Sequence, residues 1–240
     1  MPVTIEALID RQLRHWEHER RRSLGGTHAD VPIASEPVLT ISRQHGSRGA
    51  EVAALVAERL GYTLLHRNVI DRLVESTGHT RRLLESLDEH TRSRITMWVE
   101  SMLAGRFVDE HDYAVGLLKT IRSIASLGGV VVVGRGANFI VGPEHGMHVR
   151  IVGPREERVR QLVARKHLTE TAAAREVDTV DQERRAFIRR LFGRSVDDPL
   201  AYDLVLNEGG FSVESLTSLI TTAAAVKFER LRRRSPVHAG

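Results

Sequence analysis

Short apolar runs rich in β-branched residues alternate with longer amphipathic segments, and this alternation limits the folds open to the chain. The runs are VLTIS from Val38, YTLLH at 62–66, VVVV at 130–133, MHVRIV at 147–152 and YDLVLN at 202–207. Strands that are apolar along most of their length are typical of a parallel sheet covered by helices on both faces. The pattern therefore predicts a three-layer α/β/α fold, whose ligands bind at the carboxyl ends of the strands.

The segments between these runs have the residue spacing of helices. We expect helices over 50–60, 68–75, 155–167, 170–192 and 213–231, and over 80–127 with a break around 104–109. The long segment 170–192 is predicted to break near Asp178.

The first 36 residues are interpreted as an N-terminal helical extension and linker. Apolar residues at Ile5, Leu8, Ile9, Leu13 and Trp16 recur on one side of a helix, and GGTHADVPIASEP at 25–37 has the composition of a loop. That apolar face would suit a second copy of the chain, giving a homodimer, or the main domain itself. The main domain is predicted over 37–231, with a basic tail over 232–240.

Composition excludes several classes of protein. The 240 residues include no cysteine, which rules out disulfide bonds and thiolate metal sites. The apolar runs are far too short to cross a bilayer, and the first residues lack the charged-then-apolar pattern of a secretion signal. We therefore expect a cytoplasmic protein with no membrane partner.

Arginines are concentrated in three clusters, although the formal net charge is only +4. They lie at 20–22, at 232–234 and, most densely, in QERRAFIRRLFGR at 182–194. Such clusters bind nucleic acids or polyphosphates, or they simply form a solvated helix face. Aromatic residues make up 5% of the chain and no helix-turn-helix accompanies the clusters, so nucleic acid is the least favoured partner.

The stretch from Val38 to Gly61 reads as a strand, a glycine-rich turn and a helix, which is the context of a phosphate-binding loop. The lysine of that loop is missing. With Gly49 as the last glycine of the motif, Ala50 stands at the lysine position and Glu51 at the hydroxyl position. With the motif shifted by one residue, Gly49 itself stands at the lysine position. Arg43 or Arg48 could supply the cation instead, or the turn could hold no ligand.

Three segments together resemble the cytidylate-kinase-like family of bacterial P-loop proteins. They are ISRQHGSRGAEVAALVAERLGY, VVVVGRGANFI and RRAFIRRLFGRSVDDPLAYDLVLN, and the likeness runs from about Val38 to Ile220. The resemblance implies a nucleoside-monophosphate-kinase fold with a helical acceptor-binding insertion at about 67–127 and an arginine lid at about 178–200. It also implies phosphoryl transfer from ATP to a nucleoside monophosphate or similar small acceptor, with Mg²⁺.

The same resemblance implies roles for individual residues. Contacts to the donor phosphates are expected from Arg43, Gly46, Ser47, Arg48, Gly49 and Glu51, contacts to the acceptor from Arg135 and Asn138, and catalytic contacts to the transferring group from Arg189, Arg190 and Arg194. Several positions depart from the family's pattern. Gly136 replaces an aspartate, and His66 and Arg67 replace an Asp-Lys pair. The Mg²⁺ ligands are not identified, although Ser42 or Ser47 could offer a hydroxyl.

Two functions therefore remain in competition. The first is an active phosphotransferase. The second is a catalytically weak nucleotide-binding sensor that keeps the kinase fold, which the missing lysine favours and the arginine-rich lid disfavours.

Overall fold

The computed structural model describes residues 36–75, 77–85, 87, 89–104 and 111–234. At its centre lies a sheet of five strands with the order β2-β3-β1-β4-β5, in which every neighbouring pair is parallel. The strands are β1 (Val38–Arg43), β2 (Thr63–Leu65), β3 (Val130–Val133), β4 (Gly146–Val152) and β5 (Leu204–Asn207). The predicted parallel α/β fold is confirmed.

Helices join the strands. They are α1 (Gly49–Leu60), α2 (Arg67–Glu75), α3 (Thr77–Glu85), α4 (Glu89–Leu103), α5 (His111–Leu127), α6 (Ala137–Val141), α7 (Arg155–Lys166), α8 (Glu170–Phe192) and α9 (Val213–Arg234). In the described parts of the chain, none of these helices combines the length and hydrophobicity needed to cross a membrane.

Alternate residues of the apolar strands enter two separate cores. Leu39 and Ile41 of β1 pack on one side of the sheet with α1 and α9, while Val38 lies on the other side with α2 to α6 and the end of α8. Both faces of β1 and β3 are therefore buried, which explains why these strands read as continuous apolar runs. A third, smaller cluster joins α7 to α8.

Two of the predicted boundaries are wrong. Helix α8 continues through Asp178 without a break, because it contains neither glycine nor proline and the Asp178 carboxylate is exposed and paired with Arg155 of α7. Helix α9 extends to Arg234, so the first residues of the predicted basic tail are helical. Residues 1–35 of the predicted N-terminal extension (1–36), residues 105–109 of the break predicted around 104–109 and residues 235–240 of the predicted tail lie outside the described residues.

The order of the strands fixes the place of a binding site. The chain leaves β1 for the β2–β3 side of the sheet and later returns to β4 and β5 on the other side of β1. The connections that follow β1 and β3 therefore diverge above the carboxyl ends of these strands and leave a crevice there.

Candidate functional site

A cavity of about 390 Å³ opens at this crevice. Its walls come from the carboxyl ends of β1 and β4, the turn after β3, the insertion helices α2 and α5, and the second half of α8. Two carboxylate residues line it, Asp181 and Glu183, against seven arginines: Arg43, Arg67, Arg135, Arg150, Arg184, Arg185 and Arg190. The excess of guanidinium groups makes the cavity suited to an anion carrying several charges.

Arg135 is held rigidly at the turn after β3. Its Nε donates to Asp71 Oδ1 at 2.6 Å and its Nη2 donates to Oδ2 of the same carboxylate. The guanidinium lies 5.6 Å from the centre of the Tyr113 ring and 5.2 Å from that of Phe187. Burial opposes ionisation of Asp71, but the hydrogen bonds from Arg135 and Tyr113 outweigh it and hold the pKa of this carboxyl below its ordinary value. The residue predicted to contact the acceptor is thus positioned before any ligand binds.

Arg150 is a cavity residue that the sequence reasoning missed. It lies on β4 with its side chain 6% exposed, donating to Ser42 Oγ at 2.9 Å and to Asp197 Oδ1 at 2.5 Å. Asp197 also accepts from Arg185 Nε at 3.0 Å. An arginine inside an otherwise apolar strand is the signal that could have identified it, since a buried charge requires a partner.

Arg43 has a different environment from Arg135 and Arg150. Within the described ranges no carboxylate pairs with its guanidinium, whereas Arg184, Arg67 and Arg135 are all close enough to act on it. Burial, together with these three positive charges, lowers the pKa of Arg43 to about 9. The Arg43 cation is therefore poorly stabilised, and an anionic ligand would relieve it.

The arginines at 184–194 separate into two groups. Arg184, Arg185 and Arg190 line the cavity, and Arg184 Nη1 also donates to the backbone oxygen of Arg43 at 2.9 Å. Arg189 and Arg194 are exposed and do not line it. The structure thus brings only Arg190 of the three predicted lid arginines to the cavity wall.

The backbone of the glycine-rich turn between β1 and α1 is hydrogen-bonded to other groups of the protein. Four of the six backbone N–H groups between Gln44 and Gly49 donate to protein oxygens. The His45 N–H donates to Asp181 Oδ1 and the Arg48 N–H to Glu208 Oε2, both at 2.8 Å. These carboxylates take up donors that a phosphate-binding loop offers to its ligand.

The side chains of this turn also point away from the cavity. The Arg48 guanidinium donates to the backbone oxygens of Glu208 and Phe211, at 3.1 and 2.7 Å. Ser47 Oγ donates to the oxygen of Gln44 and accepts from the Gly49 N–H. Arg43 and Gln44 line the cavity, but residues 45–49 do not. The predicted donor loop and the arginine cavity are therefore adjacent but separate.

Two further predicted positions lie beside Arg135. Asn138 lines the cavity, and its amide donates to the Ala201 oxygen at 3.3 Å. Gly136 has a φ angle of +66°, and a Cβ there would lie 2.9 Å from Ile188 Cδ1 and would overlap the Phe192 ring. No side chain fits at this position, which accounts for the missing aspartate.

Potential metal ligands are dispersed. In the parts of the chain that the structure describes, no group of three or more histidine, aspartate or glutamate side chains is arranged to hold a metal ion. The Ser42 hydroxyl accepts a hydrogen bond from Arg150 Nη1, and Glu51 Oε1 lies 3.5 Å from Arg165 Nη1.

Comparison with known proteins gives one family and several distant relatives. A model of the cytidylate kinase-like family matches residues 38–209. A uronate isomerase of Corynebacterium glutamicum is 24% identical over 192 residues, covering 75% of this chain and 35% of the isomerase. The chain therefore spans about a third of the length of that curated relative.

One solved structure shows the same architecture. An uncharacterized protein from Eubacterium ventriosum superposes with a TM-score of 0.66 at 19% identity, over 80% of this chain and 99% of the other. This likeness shows a shared fold. A shikimate kinase from Bacteroides thetaiotaomicron matches with a TM-score of 0.45 at 13% identity, over 78% of this chain and 97% of the kinase.

Proposed function

The chain belongs to the cytidylate kinase-like family, and we propose that it transfers the γ-phosphoryl group of ATP to a nucleoside monophosphate or a similar small acceptor. The main support for this proposal is the cavity lined by seven arginines. Its volume of about 390 Å³ falls in the range of small-molecule sites, and its aromatic wall at Tyr113 and Phe187 could pack against a base or sugar.

The proposed reaction forms a bond between an acceptor oxygen and the γ-phosphorus and breaks the bond from that phosphorus to the leaving oxygen of ADP. The protein's part in such a reaction is to align the reactants and to neutralise charge on the transferring group. Arg135, fixed by Asp71, would hold the acceptor together with Asn138. Arg190 would contact the transferring group.

The donor site forms the second part of the proposal. The turn from Gly46 to Gly49 remains the proposed position of the donor phosphates, as the sequence motif implies, and Arg189 and Arg194 remain proposed lid residues that closure would bring in. Lid motions of this kind exclude water from the reacting group. Asp181 lies on α8 and bonds to His45, so movement of α8 would also free one backbone donor of the turn.

The residues of the site do not fit a protein-held Mg²⁺ ion. The hydroxyl groups of Ser42 and Ser47 are hydrogen-bonded within the protein, and a cavity lined by seven arginines repels a divalent cation. We therefore assign no protein ligand to Mg²⁺, which would enter the site with the donor phosphates.

Release of ADP tests the proposed function. The protein would be incubated with ATP and Mg²⁺ and each of CMP, dCMP, UMP, AMP and GMP, with an acceptor-free sample to measure ATP hydrolysis. We expect one of these acceptors to raise ADP formation above the acceptor-free rate, and Arg135→Gln to abolish the increase. No acceptor-dependent ADP with any of the five would contradict transfer to a nucleoside monophosphate.

A nucleotide sensor without turnover is the second candidate, and the self-bonded turn favours it. Since Asp181 and Glu208 already occupy backbone donors of the turn, a donor triphosphate would have to displace them or bind elsewhere. Thermal stabilisation by a nucleotide with no ADP formed would select the sensor.

A further inference from the structure

Two glycines leave space for the Arg43 side chain where it crosses the cavity wall. A Cβ at Gly49, the first residue of α1, would lie 2.7 Å from Arg43 Cβ and 3.1 Å from its Cγ. A Cβ at Gly134, directly after β3, would lie 2.6 Å from Arg43 Nη1. The side chain therefore runs from the end of β1, past the start of α1, to the end of β3. A side chain at Gly49 would collide with its first carbons, whereas a side chain at Gly134, where φ is +86°, would displace its guanidinium end.

The first of these glycines stands where the motif has its lysine. When the motif is aligned with Gly49 at the lysine position, a lysine side chain would begin in the space that Arg43 now fills. Arg43 and a lysine at position 49 are thus mutually exclusive. Because a guanidinium pairs with phosphate through two hydrogen bonds, the arginine can supply the charge that the lysine would have supplied.

The alternative cation, Arg48, is already engaged. Its guanidinium bonds to two backbone oxygens beyond β5, and it does not line the cavity. Arg43 lines the cavity, and in the described residues no carboxylate neutralises it.

We propose that Arg43 replaces the missing lysine and binds the terminal phosphates of the donor, with Gly49 and Gly134 kept small to make room for it. This inference rests on the proposed function for the identity of the phosphate group. The position of the phosphate-binding cation can nevertheless be tested without turnover.

The test moves the cation from one position to the other. Binding of inorganic pyrophosphate would be measured by calorimetry for the wild type, Arg43→Ala, Gly49→Lys and the double variant Arg43→Gly/Gly49→Lys, in which the Cβ at position 43 that would lie 2.7 Å from the new one is removed as well. We expect Arg43→Ala to weaken binding at least tenfold. Gly49→Lys alone should lower the melting temperature and give no gain in affinity, because the two side chains collide. The double variant should bind within threefold of the wild type, since the lysine now enters the vacated space.

A matched control removes the same charge elsewhere. Arg59 lies on α1 outside the cavity and pairs with Glu214, so Arg59→Gln should leave pyrophosphate affinity within twofold of the wild type. The proposal is overturned if Arg43→Ala binds as the wild type does. It is also overturned if the double variant, folded as judged by circular dichroism, binds no better than Arg43→Ala.

Failure of this inference and failure of the proposed function give different results. Recovery of pyrophosphate binding in the double variant, with no ADP from any acceptor, would support the role of Arg43 and contradict the phosphotransferase. Acceptor-dependent ADP that Arg43→Ala leaves unchanged would support the phosphotransferase and contradict the role of Arg43.

Discussion

Asp71 accepts two hydrogen bonds from Arg135, one from Nε and one from Nη2, so that the guanidinium is held at two points by one carboxylate. Asp71 lies on α2 and Arg135 follows β3, and each side chain is less than one-fifth exposed. This pair fixes the orientation of the arginine that we propose for the acceptor.

Asp71→Asn should therefore act on acceptor binding more than on turnover. The amide keeps the size of the side chain but can no longer accept both hydrogen bonds, so Arg135 becomes free to rotate. We expect the KM for the acceptor to rise about tenfold or more with a smaller change in kcat. Asp178→Asn is the control, because it breaks a pair of the same geometry with Arg155 on the exposed surface. Equal effects of the two variants on KM would count against the assignment.

Arg189 and Arg190 are adjacent but differently placed, and this offers a second test. Only Arg190 lines the cavity. We expect Arg190→Ala to lower kcat by about tenfold to a thousandfold, as loss of one charge-stabilising group does in other enzymes, and to change nucleotide affinity little. Arg189→Ala should reduce kcat by a much smaller factor. A larger loss with Arg189→Ala would show that the lid closes in a different orientation.

Gly136→Ala should destabilise the fold. The new Cβ would overlap the Phe192 ring and would occupy a backbone conformation with φ of +66°. Overpacking and left-handed strain together predict a loss of about 2–4 kcal/mol in the free energy of unfolding, measured in urea. Phe192→Ala in the same chain should make the Gly136→Ala change cost less.

Gly210→Ala is the control for that change. A Cβ at Gly210 would meet nothing within 4 Å, so we expect a change within about 0.5 kcal/mol, as for other surface substitutions. A Gly136 variant as stable as the Gly210 variant would show that the α8 end moves away without cost.

Asp181 and Arg158 form a buried ion pair between α8 and α7. Their atoms lie 2.7 Å apart and the side chains are 8% and 7% exposed. Asp181→Ala leaves the arginine charge buried without this partner and should cost about 3–5 kcal/mol in urea unfolding. The double variant Arg158→Met/Asp181→Leu should recover a large part of that loss, because neither charge then remains. If the double variant loses as much free energy of unfolding as the two single variants together, this account is contradicted.

His148 predicts a pH dependence of stability. Burial lowers the pKa of His148 to about 4, with Asp203, Lys227 and Glu144 the charged groups around it. In the unfolded chain the pKa is close to 6.5, so between these values the unfolded state binds the additional proton. Stability should therefore fall as pH drops from about 6.5 to 4, by up to about 3 kcal/mol from this residue.

The variant that checks this prediction is His148→Gln. Its free energy of unfolding should depend less steeply on pH over the same interval, although the variant is less stable at neutral pH because Thr40 loses its hydrogen-bond partner at 2.8 Å. An unchanged slope would show that groups other than His148 control the acid sensitivity of the fold.

The sheet and the helices follow from local patterns, and the sequence predicts them well. Apolar runs such as 130–133 depend only on their own residues and on burial on both faces. The Gly-Arg-Gly motif at 134–136 likewise identifies Arg135, which lines the cavity.

The bonding of the glycine-rich turn does not follow from any local pattern. Its two carboxylate partners, Asp181 and Glu208, come 136 residues after His45 and 160 residues after Arg48. The direction in which the Arg48 side chain points is set by a turn that lies beyond β5. No spacing rule relates residues so far apart, so the sequence can name the loop but cannot state what its donors bind.

The contact between Arg48 and Glu208 has a consequence for synthesis of the chain. On a ribosome the turn emerges early, whereas the carboxylate that bonds to its backbone is added 160 residues later. Until then the turn lacks this acceptor and β4 has no β5 at its edge. A nascent chain that stops before Glu208 would therefore lack a finished site, and the order of the turn should appear only after Glu208 has been added.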